Sequence, residues 1–595
     1  MEQTWSLSEL HPPLPSDWSN YHYLVMELKA SSPQYFELAL ITPTAVRSVR
    51  IHPFQGAWIR ASIPLSHFRE AQRGGHDLAS LGNKPRKTFM INFHRNQGPL
   101  DRVESISIRI PRPVGSPTLE VRSIRLAVED PGDAVLSGAP LVDAFGQWRL
   151  EDWPGKAHTL EELRAAWAEE DAALAAETVP YARFGGFLQA RVQGSGFFRV
   201  EQINGRWWFV DPEGYLFFSA GVDCVTPRNS TPITGREEIF AEIPPAGFCS
   251  RSRSGATEAS FAAWNLARRF GEDWQAQWMD YAIRRMEAWG LNTIGNWSDP
   301  RFGEAPRKPY VVTMHGWGIE EGVMGLPDIY ADGYAERIDR AAAEQCAARK
   351  NDPWLLGYFV ANEPAWPERE ALTAETILAG PPTPLQRALK TFLAEEDTPQ
   401  RRREFVFQTF EKFLALVCAA IRRHDPNHLN LGIRFGGTAP EAVIRMARIF
   451  DVYSHNIYDY VPSARLLDRI YALTGRPMLI GEFHFGTPGR GMDAGLCQTL
   501  NQEETGAAYR YYVENAAAHP ALIGTHWFQW WDQPNTGRMD GENYNIGLVD
   551  ITDRPYPQLV AAMQATHRRL YAVHSGAEPP VNRPPAGMGE AIRYE

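Results

Sequence analysis

At 595 residues the chain is too long for one hydrophobic core of ordinary size, so two or three domains are expected. Apolar residues at 44% and charged residues at 22% exclude a fibrous or disordered chain, and a formal charge of −11 without any basic stripe excludes nucleic acid as a partner. No stretch approaches 18 apolar residues, which excludes a transmembrane helix and a membrane partner.

The five cysteines are odd in number and lack the short spacing of a zinc or redox motif, which predicts reduced thiols. Met1–Leu10 contains no apolar run preceded by Lys or Arg, so no signal peptide is expected. The sequence therefore predicts a cytoplasmic protein, or a secreted one if a leader has been removed. Oligomeric state is not encoded in any of these features.

From about Tyr21 to Asp130, short segments rich in β-branched and aromatic residues recur between Pro and Gly: Tyr23–Lys29, Phe36–Ile41, Thr88–Phe93, Ser105–Ile110 and Val121–Val128. They predict an N-terminal β-sandwich over residues 1–130, of jelly-roll, carbohydrate-binding-module-like type. A linker follows over 131–185. It holds one helix, Thr159–Glu177, opened by a capping box in which Thr159 caps and Glu162 lies three residues on.

From about Phe187 apolar strand-like runs alternate with helical patterns, the signature of a parallel sheet. Eight strands are predicted: Phe217–Val222, Thr293–Trp297, Tyr310–Met314, Gly357–Asn362, Leu429–Phe435, Val452–Ile457, Met478–Phe483 and Thr525–Trp530. Helices are predicted over Phe261–Phe270, Gln275–Trp289, Tyr334–Ala348 and Glu404–Arg423. Together they specify an α/β fold, a (β/α)8 TIM barrel over residues 186–575 with a tail over 576–595. The surplus length falls in loops such as Pro227–Ser260 and Ala365–Arg401.

In such barrels the active-site groups sit where strands pass into the loops that follow them. Polar residues crowd those positions here: Asn296, Trp297 and Asp299; His315; Asn362 and Glu363; Arg434; His455, Asn456 and Tyr458; Glu482 and His484; Gln529 and Asp532. Glu363 and Glu482 are the informative pair, because each follows a strongly apolar run. A glutamate leaving a buried strand must titrate, pair, or face a wet cleft. On the fourth and seventh strands the two face each other across the barrel mouth, the arrangement a retaining glycosidase needs for carboxyls about 5–5.5 Å apart. An inverting enzyme, with its carboxyls about 6.5–9.5 Å apart, fits this placement less well. Clustered Trp527, Trp530 and Trp531 are read as stacking faces for sugar rings. No metal is predicted, because His315, His455 and His484 lack zinc-motif spacing, and no cofactor is required.

Asn362-Glu363-Pro364 after a fourth strand, with Glu482 after a seventh, resembles the clan of retaining (β/α)8 glycosidases. Longer stretches narrow the likeness: Asn204–Gly214 followed by Phe217-Phe218-Ser219, Gly290–Asp299, Ile480–Gly486, His526–Pro534, and upstream Phe145–Trp148 and Asp152–Lys156. These resemble the β-agarases of glycoside hydrolase family 50. The likeness implies hydrolysis of β-linked galactan, often from a chain end, and a sandwich ahead of the barrel. It implies Glu363 as acid/base, Glu482 as nucleophile, and Asn362 bonding the sugar 2-hydroxyl. Two positions depart from the pattern: Ala361 precedes Asn362, and Asp223 stands where Asn is implied. Asp223 is read as a contact to a substrate hydroxyl.

The remaining expectations are that Tyr458 or His455 orients the nucleophile and that Arg434 keeps it ionised. Asn296, Trp297, His315, Asn456, His484, Gln529 and Asp532 are expected to contact an oligo- or polysaccharide substrate. The same glutamates would serve a transglycosylase or a hydrolase of another β-linked glycan. A non-catalytic sugar-binding barrel is the reading from a different class, and the intact glutamate pair argues against it.

Overall fold

The computed structural model describes residues 2–80, 84–138, 140–174, 178–252, 255–437 and 439–588. Two antiparallel sheets, six- and four-stranded, precede a closed eight-stranded parallel barrel. The larger sheet runs in the order Glu2–Ser6, Ser105–Arg109, Phe36–Ile41, Val46–Pro53, Phe89–Arg95 and Lys84–Pro85. The smaller is Ala134–Val135, Ile59–Pro64, Tyr23–Ala30 and Leu119–Ala127. Phe36–Ile41 shows why the layers close: Phe36, Leu38 and Leu40 point inward while the residues between them stay partly exposed. Leu24, Met26 and Leu28 from the other sheet meet them in one apolar core. All five strands expected here are present. Glu2–Ser6, Val46–Pro53 and Ile59–Pro64 form in addition.

The barrel strands are β1 (Ser219–Val222), β2 (Thr293–Ile294), β3 (Tyr310–Thr313), β4 (Leu355–Asn362), β5 (Leu429–Gly436), β6 (Tyr453–Asn456), β7 (Met478–Phe483) and β8 (Leu522–Trp527). β1 pairs in parallel with both β2 and β8, which closes the ring. Each expected strand is found. β8 lies three residues earlier than expected, because its ladder to β1 ends at Trp527. Beyond that point Phe528 N–H donates to Phe483 O and Trp530 N–H to Asp223 O, which carries the chain across the barrel end.

The helices fall where the 3.6-residue pattern puts them: Phe261–Phe270, Trp274–Trp289, Tyr334–Ala347 and Pro399–His424. The last begins earlier than expected, with Thr398 Oγ capping Arg401 N–H and Pro399 in the first turn. The linker helix runs Leu160–Leu174; the expected positions 175–177 lie outside the described residues. Half of the expected capping box forms, with Glu162 N–H donating to Thr159 Oγ1 at 3.1 Å, while the Glu162 carboxylate accepts from His158 N–H at 2.6 Å. The stretch Ala365–Arg401 is more ordered than a loop, for it contains helices Glu370–Ala379 and Pro384–Phe392. A hairpin, Arg199–Ile203 with Arg206–Val210, turns through Asn204-Gly205, both at positive φ. Its Phe209 packs with Leu356, Leu431, Leu479 and Ile523, so the barrel interior opposite the mouth is filled by side chains.

The five cysteines are free thiols, two buried and three half-buried. Among the described residues, no helix is long and apolar enough to cross a membrane.

The linker helix is fixed to the barrel by a buried ion cluster. Arg285 Nη1 donates to Asp553 Oδ1 at 2.6 Å and Arg285 Nε to Glu170 Oε1 at 2.8 Å. Arg269 Nη1 donates to Asp553 Oδ2 at 2.7 Å. Neither the Arg285 nor the Asp553 side chain has exposed surface. Removing one member strands the others, so Asp553→Ala is expected to destabilise the protein by about 3–5 kcal/mol. Thermal and urea unfolding check this, and an unchanged midpoint would show that the cluster contributes nothing net.

Candidate active site

Glu363 follows β4 directly, with its backbone in the left-handed region at φ +40°. Its N–H donates to Arg434 O at 2.9 Å, and its carbonyl accepts from Leu78 N–H at 3.1 Å. A strained backbone of this kind costs on the order of 1–3 kcal/mol and persists where its surroundings over-determine it. The carboxyl is buried, and Asn456 Nδ2 on β6 donates to Oε1 at 2.8 Å. Gly436 at the end of β5 allows the close fit, because a Cβ there would lie 2.8 Å from Glu363 Oε1. Burial first, then the charge of Glu482, pushes the Glu363 carboxyl up to about 8 against the bond from Asn456, with Asp77 adding to the rise.

The carboxyl of Glu482 on β7 is surrounded by three donors. Arg434 Nη1 approaches Oε1 at 2.9 Å, Trp297 Nε1 donates to Oε1 at 3.3 Å, and Tyr458 Oη donates to Oε2 at 2.6 Å. Arg434 also donates through Nη1 to Asn362 Oδ1 at 3.0 Å and through Nη2 to Gly481 O at 2.6 Å. With its Oδ1 held there, the Asn362 amide presents Nδ2 elsewhere. One carboxyl is thus held protonated and the other is held by donors, from facing strands.

Trp297 is the aromatic residue that this geometry leaves accessible. It is 46% exposed, at φ +60°, with its indole edge on Glu482. Asn296 beside it is buried; its Oδ1 accepts from Thr313 Oγ1, while Nδ2 has no partner. His315 is exposed, and its backbone is tied to Gln345.

Other expected contacts point away from a substrate. Trp527, Trp530 and Trp531 are buried core residues and present no stacking face. Trp527 Nε1 donates to Ile546 O and Trp531 Nε1 to Thr226 O. Arg434 and Asp223 have no exposed side-chain surface, so neither touches a bound sugar. His455 bonds Gly437 O and not Glu482, and burial pushes it down to about 4, leaving a neutral ring. His484 is buried, driven down to about 3, and accepts from Leu496 N–H at 2.9 Å. Gln529 is spent on Trp531 O and Arg538 Nη1. Asp532 accepts from Tyr556 Oη and Gly547 N–H, and pins the chain after β8. Sequence position alone does not tell which side of a strand end a residue takes.

The sandwich supplies residues that sequence reasoning missed. Asp77 pairs with Pro364 as an isolated bridge, and His76 O accepts from Ala365 N–H at 3.1 Å. Leu78 lies against Gly436 beside the Glu363 carboxyl. The polar run Arg73-Gly74-Gly75-His76-Asp77 inside an otherwise strand-rich region was the available signal. Arg538, with Asp540 and Glu542, forms an ion cluster joined to Gln529 and was likewise missed. Among the described residues, no three His, Cys, Asp or Glu side chains are grouped to hold a metal ion.

No family model matches the sequence. β-Agarase B of Vibrio sp. (strain JT0107) is 28% identical over 582 residues, which cover 82% of this chain and 61% of that protein. β-Agarase A of the same strain is 30% identical over 524 residues, covering 73% and 52%. The chain thus spans 61% and 52% of the length of these two curated relatives. Among solved structures, the agarase AgWH50C superposes with a TM-score of 0.72 at 26% identity, covering 96% of this chain and 93% of that one. An exo-β-agarase gives 0.71 at 25%, covering 96% and 92%. In sequence and in fold, the chain belongs to the β-agarase-like family, glycoside hydrolase family 50.

Proposed function

We propose that the protein is a retaining glycoside hydrolase acting on β-linked galactan or its oligosaccharides, with Glu363 as acid/base and Glu482 as nucleophile. The observation that carries this reading is the division of labour between two buried carboxyls. Glu363 is pushed up to about 8 by burial and by its neighbour, while Glu482 holds three donors. A carboxyl kept protonated, facing a second one fixed by three donors, supplies an acid and a nucleophile.

In the first step Glu363 gives its proton to the glycosidic oxygen as a Glu482 oxygen attacks the anomeric carbon. The C–O bond breaks, the leaving sugar departs as an alcohol, and a glycosyl ester forms. Glu363, now a carboxylate, then takes a proton from water as that water attacks the same carbon and frees Glu482. Asn362, its Oδ1 fixed by Arg434, offers Nδ2 to the sugar 2-hydroxyl. Trp297 offers the exposed ring beside the reacting carbon, and Asn296 an unspent amide N–H. The substrate class rests on the relatives, which are β-agarases; one of the solved structures is an exo-β-agarase. Exo action on a galactan chain follows as the favoured mode.

Three outcomes test the reading. Incubation with agarose, neoagaro-oligosaccharides and a panel of other β-linked glycans should release product from the agar substrates. Glu363→Gln should lose about 10²–10⁴-fold in rate and Glu482→Gln should show no turnover. Activity of either variant at the wild-type level would remove that residue from its role, and cleavage confined to another glycan would replace the substrate class.

The pH profile follows from the raised acid. Glu363 must carry its proton, so kcat/KM should fall as pH rises through about 8. Asp77→Asn removes a negative charge that favours the protonated form, so the alkaline limb should move to lower pH. A limb left in place would exclude Asp77 from the electrostatics of the acid.

Tyr458→Phe deletes a hydrogen bond to a charged oxygen and should lower kcat by about 10–100-fold. Unchanged kcat and kcat/KM would show that Tyr458 does not support the nucleophile.

A further inference from the structure

Asp223 leaves β1 at the level of the reacting groups, yet both of its oxygens are occupied from inside the protein. Oδ2 accepts from Arg434 Nη2 at 2.5 Å, and Oδ1 accepts from the Asn296 backbone N–H at 2.8 Å. Its own backbone is fixed between strands, with N–H donating to Trp527 O and the carbonyl accepting from Trp530 N–H. Burial pushes the carboxyl up while Arg434 opposes it. Because each oxygen already faces a donor, the ionised form is the one this geometry fits.

Gly295 explains how the β2 chain closes over that carboxylate. A Cβ at this position would sit 2.1 Å from Asp223 Oδ1, so only glycine permits the approach. The peptide so captured is that of Asn296, and the next residue is Trp297, whose indole donates to Glu482. Two of the three donors on Glu482 therefore trace to Asp223. The Arg434 guanidinium is gripped directly, and the Trp297 corner is gripped through the adjoining peptide. The third donor, Tyr458, arrives from the segment after β6.

We propose that Asp223 is a positioning residue for the nucleophile: one carboxylate sets both the Arg434 guanidinium and the Asn296–Trp297 corner that together orient Glu482. The proposal rests on the reading of Glu482 as nucleophile. It assigns Asp223 to the chemistry without any contact to sugar. An asparagine at this position has one acceptor oxygen for two donors, and its NH2 group must then confront an N–H.

The test is steady-state kinetics of Asp223→Asn, Trp297→Phe, Tyr458→Phe and the double variants, on whichever glycan the wild type cleaves. The rate of covalent labelling by a 2-fluoro glycoside of that glycan, read by mass spectrometry at Glu482, runs alongside. Asp223→Asn is expected to lower kcat and the labelling rate together by about 10–100-fold, with KM within about threefold. Asp223→Asn with Trp297→Phe should lose less than the product of the single losses, and less coupling is expected with Tyr458→Phe.

A raised KM with intact kcat would make Asp223 a substrate contact and overturn the proposal. So would an unchanged kcat, or fully multiplicative losses with Trp297→Phe. Should Asp223→Asn not fold, Gly295→Ala carries the test with both charges in place. It must lower kcat without adding to Trp297→Phe, and additive losses would sink the proposal. Turnover by Glu482→Gln would instead defeat the nucleophile assignment itself, an outcome read from that single variant.

Discussion

A guanidinium without exposed surface lies at the centre of this barrel, and the arrangement of the mouth follows from the need to satisfy it. A buried charge costs several kcal/mol in lost hydration unless it is paired and hydrogen-bonded. Arg434 on β5 meets that demand with Asp223 after β1, Glu482 and the Gly481 carbonyl on β7, and Asn362 at the end of β4. Four of the eight strands are therefore tied to one side chain. The pairing fixes the face of Glu482 and the amide of Asn362 in one stroke, and leaves Glu363 to be set by burial and Asn456. Removing Arg434 would strand two buried carboxylates, so its loss would disturb folding and chemistry together.

The second constraint comes from outside the barrel. Glu363 occupies a left-handed backbone conformation, held on one side by the Arg434 carbonyl and on the other by Leu78 of the sandwich. The segment His76–Leu78 adds backbone pairing to Pro364 and Ala365 and brings Asp77 into electrostatic reach of the Glu363 carboxyl. His52 of the sandwich also lies 2.9 Å from Asp493 of the barrel, and the linker is tied to the sandwich where Trp148 Nε1 donates to Gln55 O. The sandwich is thereby a structural part of the barrel mouth around Glu363.

The aromatic residues show how burial and chemistry divide. Trp530 stacks on Trp289 with centroids 5.6 Å apart, and Trp531 on Trp278 at 6.4 Å, so these indoles secure the chain after β8. Trp297 is held at its edge by Glu482, has the Arg434 guanidinium 5.8 Å from its ring centre, and remains partly accessible. The same residue type is mortar in one place and stays accessible at the mouth in the other, according to which partners reach it first.

Sequence by itself determined the barrel, because apolar runs of strand length alternating with amphipathic helices can be buried in few other ways. It also singled out Glu363 and Glu482, since a carboxyl at the end of a buried strand demands a partner or a cleft. What it could not convey was orientation. Trp527, Trp530 and Trp531 cluster along the chain, yet their side chains turn into the core. Asp223 sits at a strand end, yet turns inward to an arginine 211 residues away. The approach of Leu78 to Glu363 links positions far apart in the chain and lies in no local pattern. These features were decided by the tertiary structure alone, because hydrogen-bond geometry depends on where strands meet, and that is a property of the closed barrel and not of any one strand.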